Sequence, residues 1–216
     1  DRMRIISPSI IAGDFSKLDR EIKEIEDLGI NRLHLDIMDG NFVPNLTFGP
    51  LLVEGIRKLT NMHLECHLMI NSPEKYIDEY ISAGGDTIIL HKEKNPKIED
   101  SLNKIKKSGI KCGVAFNPNT PIKSILPFID KINYILIMSV YPGFCGQSFI
   151  ESSIESMKYF VEKKLDYPDL IVAVDGGVNT KTIRKVFETG IDISIVGSGL
   201  FGAIDRKARY DELLTV

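Results

Sequence analysis

Short apolar runs alternate with longer amphipathic segments along the chain. The apolar runs, rich in Val, Ile and Leu, predict eight strands at 4–10, 32–38, 63–70, 86–91, 111–116, 134–140, 170–175 and 193–197. The segments between them predict eight helices at 16–28, 50–59, 73–83, 96–108, 122–131, 152–165, 180–189 and 205–214. Glycine follows several of these helices, and Ser72 before Pro73 indicates an N-cap with proline at the first helical position.

This alternation predicts the fold class. Eight strand–helix units without a linker or a low-complexity stretch favour a (β/α)8 TIM barrel of the α/β class, with residues 1–216 forming one domain. A doubly wound open sheet is the alternative. It fits less well, because no GxGxxG follows the first strand and polar residues recur at the C-terminal ends of several strands.

Composition and charge narrow the classes of partner. With 216 residues, 43% of them hydrophobic, the chain can bury a sizeable core, and its net charge of −3 gives no general reason to expect a nucleic acid or an anionic membrane as partner. Three cysteines without CxxC or zinc-finger spacing indicate reduced thiols, and no apolar run reaches the ~18 residues of a membrane span. We therefore expect a soluble cytoplasmic protein that binds neither nucleic acid nor membrane.

Polar side chains interrupt several predicted strands, although strands of a parallel sheet are usually apolar throughout. Alternate residues share one face of a strand, so the polar residues and methionines of the second and third predicted strands line up. Two imidazoles and two carboxylates meeting at the mouth of a barrel can bind zinc, iron(II), manganese or cobalt. The residues concerned are His34, Asp36, Met38, His67, Met69 and Asp175.

Each of these polar residues also has a structural interpretation. A lone histidine on a strand is more often a core or rim residue than a ligand, and an aspartate such as Asp175 before two glycines commonly forms a turn. Four such residues on three strands, all near the same end of the barrel, favour the metal site.

Three glycine-rich segments follow the last three predicted strands: PGFCGQ at 142–147, DGGVN at 175–179 and GSGLFG at 197–202. Glycine lets backbone N–H groups approach an anion, and TIM barrels often bind phosphate between the loops after strands seven and eight. Any one of these segments could merely turn the chain. Together, in this order, they predict a sugar-phosphate site.

Six motifs give the chain a family resemblance. They are SPSIIAGDF (7–15), HLDIMDGNFVPNLTFGP (34–50), CHLMI (66–70), AFNPNTP (115–121), MSVYPGFCGQSF (138–149) and VDGGVN (174–179). The chain thus resembles the D-ribulose-phosphate 3-epimerase (pentose-5-phosphate 3-epimerase) family over essentially its whole length. The resemblance implies a barrel of the ribulose-phosphate binding type that interconverts D-ribulose 5-phosphate and D-xylulose 5-phosphate in the pentose phosphate pathway, and a homo-oligomer of two or more subunits.

The resemblance also implies roles for individual residues. Asp36 and Asp175 would be the catalytic acid/base pair, and the metal ligands would be His34, Asp36, His67 and Asp175. The substrate, chiefly through its phosphate, would contact Ser9, His67, Gly143, Phe144, Cys145, Gly146, Gly176, Gly177, Gly197 and Ser198. Two positions depart from the family pattern, since Cys145 replaces a common glycine and Tyr141 replaces the usual asparagine.

The implied reaction inverts a carbon next to a carbonyl and therefore needs an acid/base group on each face of that carbon. One carboxylate removes the C3 proton to give a 2,3-enediolate, and the other returns a proton to the opposite face. We expect one divalent transition metal, zinc or iron(II) before manganese or cobalt, and no nucleotide or organic cofactor.

Five further residues near the predicted site have less specific roles. Met38, Met69 and Met138 could cover the flat intermediate or simply fill the core. His91 and Glu93 end the fourth predicted strand and would be supporting or rim groups rather than ligands.

The sequence leaves other functions open. An epimerase of a six-carbon ketose phosphate would share every motif above, and a sugar-phosphate-binding barrel without catalysis would be expected to lose one of the two aspartates. A metal-free decarboxylase or synthase would not need both histidines as ligands. A metal hydrolase of the amidohydrolase kind would ordinarily show HxH on the first strand, where this chain has SPS at 7–9.

Overall fold

The computed structural model describes residues 4–215. Within them one sheet of eight parallel strands is formed by β1 (Ile5–Pro8), β2 (Arg32–Met38), β3 (His63–Met69), β4 (Thr87–His91), β5 (Lys111–Phe116), β6 (Tyr134–Met138), β7 (Ile171–Asp175) and β8 (Ile193–Val196). The strands pair in the order β1-β8-β7-β6-β5-β4-β3-β2, and a parallel bridge between Ser9 and His34 links the end of β1 to β2. The sheet therefore nearly closes on itself, which confirms the predicted TIM barrel.

The strands form where Val, Ile and Leu run together, because a parallel strand is covered on both faces. β2 and β5 have the predicted bounds. β1 is shorter than predicted at both ends, by one residue and by two, and the other strands differ from the prediction by one or two residues at one end. β1 ends early because the chain turns at Ser9 into a short 3-10 helix, Ile10–Ala12, at the mouth of the barrel.

The helices surround the sheet. They are α1 (Leu18–Asp27), α2 (Pro50–Leu59), α3 (Ile77–Ser82), α4 (Ile98–Lys107), α5 (Ser153–Lys163), α6 (Ile183–Glu188), α7 (Ser198–Phe201) and α8 (Arg206–Thr215). The α-helix predicted over 122–131 is wrong, because that segment forms two 3-10 helices, Ile122–Ser124 and Leu126–Lys131. Pro127 has no N–H to donate and disfavours the α conformation in the residue before it, so an α-helix cannot continue through this segment.

The N-cap predicted at Ser72, with Pro73 at the first helical position, is confirmed in its place along the chain. Ser72 does precede a helical segment, but its backbone is left-handed, with φ of 50°, and its side chain makes no capping hydrogen bond. An N-cap side chain normally reaches the helical N–H groups from an extended backbone. The segment opens instead with a 3-10 turn, Pro73–Lys75, before α3 begins.

Buried side chains fill both the space outside the sheet and the interior of the barrel. The interior is closed by Ile89, Ala115, Tyr134, Leu136, Met138, Ala173, Ile193 and Ile195. A smaller apolar group, Met38, Val43 and Met69, lies at the mouth. Because the interior is packed with side chains, the C-terminal mouth is where the barrel has room for a ligand.

Among the described residues, no helix combines the length and the apolar character needed to cross a membrane.

Candidate active site and metal centre

Three strands bring four polar side chains together at the mouth of the barrel. His34 and Asp36 come from β2, His67 from β3 and Asp175 from the end of β7. One donor atom of each lies within 4.8 Å of all the others. Both histidines are fully buried, Asp36 is nearly so, and the Asp175 side chain is partly exposed. The structure thus assembles the four residues that sequence analysis proposed as ligands.

The donor atoms have separations that suit a small cation. The Nε2 atom of His34 lies 3.4 Å from Asp36 Oδ1 and 3.6 Å from Asp175 Oδ2. The Nδ1 atom of His67 lies 3.1 Å and 3.6 Å from the same two oxygens, and the two nitrogens are 3.3 Å apart. Donors at ~2.0–2.2 Å from a tetrahedral metal stand roughly 3.3–3.6 Å from one another. These five separations are therefore close to those around such an ion, and all four donor atoms lie within 4.8 Å of one another.

The electrostatics of the cluster also favour a cation. Burial opposes charge on Asp36, but His34 and His67 nevertheless hold the pKa of this carboxyl group well below its usual range. Burial likewise opposes charge on His34, yet Asp36, Asp175 and Glu65 raise its pKa well above the usual value. Against the same opposition, Asp175 and Asp36 raise the pKa of His67. The cluster therefore holds protons on its imidazoles, and a divalent cation can replace them.

Glu65 lies behind His34 and is a site residue that sequence analysis missed. It is fully buried, pairs with His34 in the β2–β3 ladder and places Oε1 3.6 Å from His34 Nδ1. The Ser7 hydroxyl donates a hydrogen bond to the same oxygen. Burial alone would raise the pKa of Glu65, but the neighbouring His34 lowers it to about 2. A signal was present, because Glu65 precedes His67 by two residues and so shares its face of β3.

His67 has a second set of neighbours on the side away from the aspartates. Its Nε2 atom lies 2.8 Å from His91 Nε2, and His91 Nδ1 lies 2.9 Å from Glu93 Oε2. Burial lowers the pKa of His91. Burial opposes ionisation of Glu93 as well, but His91 and the hydrogen bonds from Asn117 and Thr120 lower its pKa to about 2. Neither His91 nor Glu93 belongs to the four-residue cluster.

A cavity of about 220 Å³ adjoins the cluster. Most of the proposed site residues line it: Ser9, Asp36, Met38, Met69, Met138, Gly143, Phe144, Cys145, Gly146, Asp175, Gly176, Gly177, Gly197 and Ser198. His34 and His67 are not part of this lining and lie buried beside the two aspartates. Further lining residues that sequence analysis does not single out are Ile11, Val140, Pro142, Gln147, Val178, Asn179, Ile195 and Gly199.

Two positions in the cavity wall require glycine. At Gly176 φ is +124°, and a Cβ atom would stand 2.4 Å from a Val140 methyl group and 2.8 Å from the Val140 nitrogen. At Gly177 φ is +64°, and a Cβ atom would stand 2.6 Å from the Phe149 nitrogen. Cys145 is not among the non-glycine residues with positive φ in the described part of the chain. The departure from the family's glycine at that position therefore needs no unusual backbone conformation.

Known proteins match this chain over nearly its full length. A family model described as "Ribulose-phosphate 3 epimerase family" matches residues 5–201. The ribulose-phosphate 3-epimerase of Bacillus subtilis (strain 168) is 41% identical, covering 96% of this chain and 97% of that protein. The chloroplastic ribulose-5-phosphate-3-epimerase of Arabidopsis thaliana is 42% identical, covering 93% of this chain and 73% of that protein.

A solved structure supports the fold independently. A mutant tryptophan synthase alpha-subunit from Pyrococcus furiosus superimposes with a TM-score of 0.70, covering 99% of this chain and 98% of its own. The two sequences are only 16% identical, so this likeness concerns the barrel and not the chemistry.

Proposed function

The chain belongs to the ribulose-phosphate 3-epimerase family, and on that premise we propose that it interconverts D-ribulose 5-phosphate and D-xylulose 5-phosphate at C3 by two-base proton transfer. The observation that carries this mechanism is the meeting of two carboxylates at one cavity. Asp36 reaches the cavity from β2 and Asp175 from β7. In the ring of strands β1 and β8 separate these two, so the carboxylates approach from different sides of the mouth.

In this mechanism each aspartate handles the proton on one face of C3. One carboxylate removes the proton next to the carbonyl and leaves a 2,3-enediolate, and the other, as the acid, delivers a proton to the opposite face. The roles exchange in the reverse direction. Both aspartates adjoin the same two histidines. Which aspartate carries the proton before the reaction therefore depends on the cluster as a whole and not on either carboxyl group alone. The Ser9 hydroxyl donates to Asp36 Oδ2 and holds that carboxylate in place.

We assign one divalent transition metal to the cluster. Its ligand atoms would be Nε2 of His34, Nδ1 of His67 and one oxygen each of Asp36 and Asp175. Nitrogen and oxygen donors at these separations suit zinc or iron(II), and manganese or cobalt also accept such a set. When bound, the ion supplies a Lewis acid that stabilises negative charge on the C2 and C3 oxygens of the substrate.

We propose that the glycine-lined part of the cavity wall holds the phosphate. Glycines at 176, 177 and 197 bring bare backbone to the cavity wall, where N–H groups can approach an anion. Met38, Met69 and Met138 line the same cavity with only 5%, 1% and 2% of their surface exposed. Their apolar side chains would limit the access of water to the flat intermediate.

Several further properties stay predictions. We propose a sugar phosphate as the small-molecule partner, zinc or iron(II) as the only cofactor, a homo-oligomer and a cytoplasmic location. The Arabidopsis relative is chloroplastic by name, so location differs among members of the family.

A coupled assay tests the proposed reaction. Purified protein loaded with metal should form xylulose 5-phosphate from ribulose 5-phosphate without nicotinamide, flavin or ATP acting on the epimerase itself, and the metal content of the same sample should be measured. Folded, metal-replete protein that does not turn over ribulose 5-phosphate would contradict the proposal. A panel of six-carbon ketose phosphates assayed in parallel decides the substrate class, since a higher kcat/KM for one of them would make it the preferred substrate.

A further inference from the structure

His91, the last residue of β4, and Glu93 stand next to the metal cluster but have no part in the proton transfer. We propose that they form a relay that fixes the tautomer of His67, so that its Nδ1 atom and not its Nε2 atom binds the metal. The proposal rests on the metal site of the proposed function. His91 and Glu93 are positioning residues, since neither lines the cavity nor belongs to the four-residue cluster.

The relay begins at the Glu93 carboxylate, which three donors surround. Its Oε1 atom accepts hydrogen bonds from the Asn117 backbone N–H and the Thr120 hydroxyl, each at 2.5 Å. Its Oε2 atom lies 2.9 Å from His91 Nδ1. An ionised carboxylate can only accept hydrogen bonds. His91 Nδ1 must therefore carry a proton and donate it to Glu93.

One hydrogen bond then joins the two imidazoles. Their Nε2 atoms are 2.8 Å apart, the ring planes differ by 17° and the ring centroids are 4.9 Å apart. Rings stacked face to face at this nitrogen–nitrogen distance would have much closer centroids. The two Nε2 atoms therefore point at each other within the ring planes. Because the single proton of a neutral His91 is on Nδ1, its Nε2 atom is an acceptor. The proton between the rings therefore belongs to His67 Nε2.

This assignment decides which His67 nitrogen faces the metal. A neutral imidazole has one protonated nitrogen and one lone pair, so a proton on Nε2 leaves the lone pair on Nδ1. That Nδ1 atom lies 3.1 Å from Asp36 Oδ1 and 3.3 Å from His34 Nε2, inside the cluster. His91 is 2% exposed and packs against the Phe42 ring, which limits the opportunity for water to replace it as the partner of His67.

Glu93→Gln tests the relay, because the amide has the same shape but reverses the direction of donation. The amide oxygen would stay with the donors from Asn117 and Thr120, which turns the NH2 group toward His91 Nδ1. His91 would then carry its proton on Nε2 and donate to His67 Nε2, which forces the His67 proton onto Nδ1. We expect zinc affinity, measured by chelator competition without substrate, to fall ~10- to 100-fold.

Two further variants separate this effect from a simple loss of charge. Glu93→Asp keeps an acceptor and should bind zinc more tightly than Glu93→Gln does. Glu99→Gln removes an equivalent charge from α4, where Glu99 pairs with Lys131, and should bind zinc as the parent does. If Glu93→Gln binds zinc as tightly as Glu99→Gln, the relay is wrong.

Nitrogen NMR of the zinc-loaded parent gives a second, independent readout. With histidine labelled with ¹⁵N, His67 should show a protonated Nε2 and a zinc-bound Nδ1, and the reverse assignment would overturn the proposal. If Glu93→Gln does not fold, as judged by its amide spectrum, this assignment in the parent decides. Neither readout uses turnover. If zinc is bound through Nδ1 but the protein does not epimerise, the proposed reaction is wrong and the relay stands. If the protein epimerises but zinc is bound through Nε2, the relay is wrong and the proposed reaction stands.

Discussion

Two parts of the cavity surroundings are built differently: the four-residue cluster, called the metal side after its proposed ion, and the glycine-lined wall, called the phosphate side after its proposed ligand. On the metal side the polar groups are side chains fixed on strands, and both histidines there are fully buried. On the phosphate side the wall is loop backbone, and the side chains of Phe144 and Cys145 are exposed. Neighbouring side chains hold each buried strand residue in place. Replacing one of these residues should therefore remove the particular ligand or hydrogen bond that it provides. Loop positions tolerate new side chains except where φ is positive and space is lacking, as at Gly177.

Replacing a metal ligand should do the most damage, because His34→Ala or His67→Ala leaves only three of the four proposed ligands. Outer-shell partners alone are worth ~10- to 100-fold in affinity, so loss of a ligand should lower metal affinity and turnover more than ~100-fold. Metal analysis and rate measurement on the same preparations check this. His63→Ala is the matched control. His63 is the first residue of β3 and contacts Thr87, outside the four-residue cluster, so this variant should bind metal as the parent does. Full metal and full rate in both ligand variants would show that the ligand assignment is wrong.

Metal affinity should also depend on pH, and the directions of the pKa shifts predict that it falls as the pH falls. The pKa values of His34 and His67 are raised, so both hold protons to higher pH than free histidine, and the metal must displace them. Affinity should fall by up to ~10-fold per pH unit for each displaced proton as pH drops below the raised pKa values, and should level off above them. The pKa of Asp36 is lowered, so this carboxylate stays ionised in that range.

Calorimetric titrations in buffers of different ionisation enthalpy count the protons released on metal binding. An affinity that does not change from pH 5 to pH 8 would contradict this account of the cluster.

On the phosphate side, Gly177→Ala should have an intermediate effect. The added methyl group meets the Phe149 nitrogen at 2.6 Å in a backbone with φ of +64°, so we expect a loss of ~1–3 kcal/mol in unfolding free energy. Urea unfolding measures the loss, and KM for the sugar phosphate should rise while metal content is unchanged. Gly55→Ala in α2, where a Cβ atom would meet nothing within 4 Å, should show neither effect. An unchanged KM in Gly177→Ala would argue against substrate binding at this loop.

The smallest effect is expected from Cys145→Gly, which restores the family's usual residue. Cys145 is exposed and has no positive φ, so kcat/KM should change by less than ~3-fold. The cavity wall partly shields the thiol, and with Asp36 and Asp175 nearby its pKa is raised to about 11. Slow alkylation by iodoacetamide at neutral pH is therefore expected as well. A tenfold drop in activity, or rapid alkylation, would show that the side chain has a role in the loop.

Local rules explain what could be predicted from the sequence. Alternation along β2 aligns His34 with Asp36, and the sequence predicts the bounds of β2 and β5 as the structure has them. Where two local rules competed, the prediction was wrong. The amphipathic pattern of 122–131 favoured an α-helix, but Pro127 prevented it and left 3-10 turns.

Features that depend on contacts between strands could not be predicted in this way. Glu65 supports His34 because the β2–β3 register places them side by side, and the register depends on residues far apart in sequence. The nitrogen that His67 presents to the cluster depends on ring rotation, which its neighbour His91 on β4 sets. Glu65 does share the His67 face of β3, but neither its pairing with His34 nor the rotation of the His67 ring has a signal within a single segment.

We propose that one aspartate serves each face of C3, and the Asp175→Asn variant separates the two roles. Asparagine keeps the shape and one oxygen but cannot transfer the proton, so epimerisation should fall ~10²- to 10⁴-fold, about 3–5 kcal/mol in barrier. With Asp36 intact, the variant loaded with metal should still exchange the C3 hydrogen of one epimer with deuterated solvent while hardly forming the other. Epimerisation near the parental rate by a metal-loaded Asp175→Asn protein would contradict the two-base account.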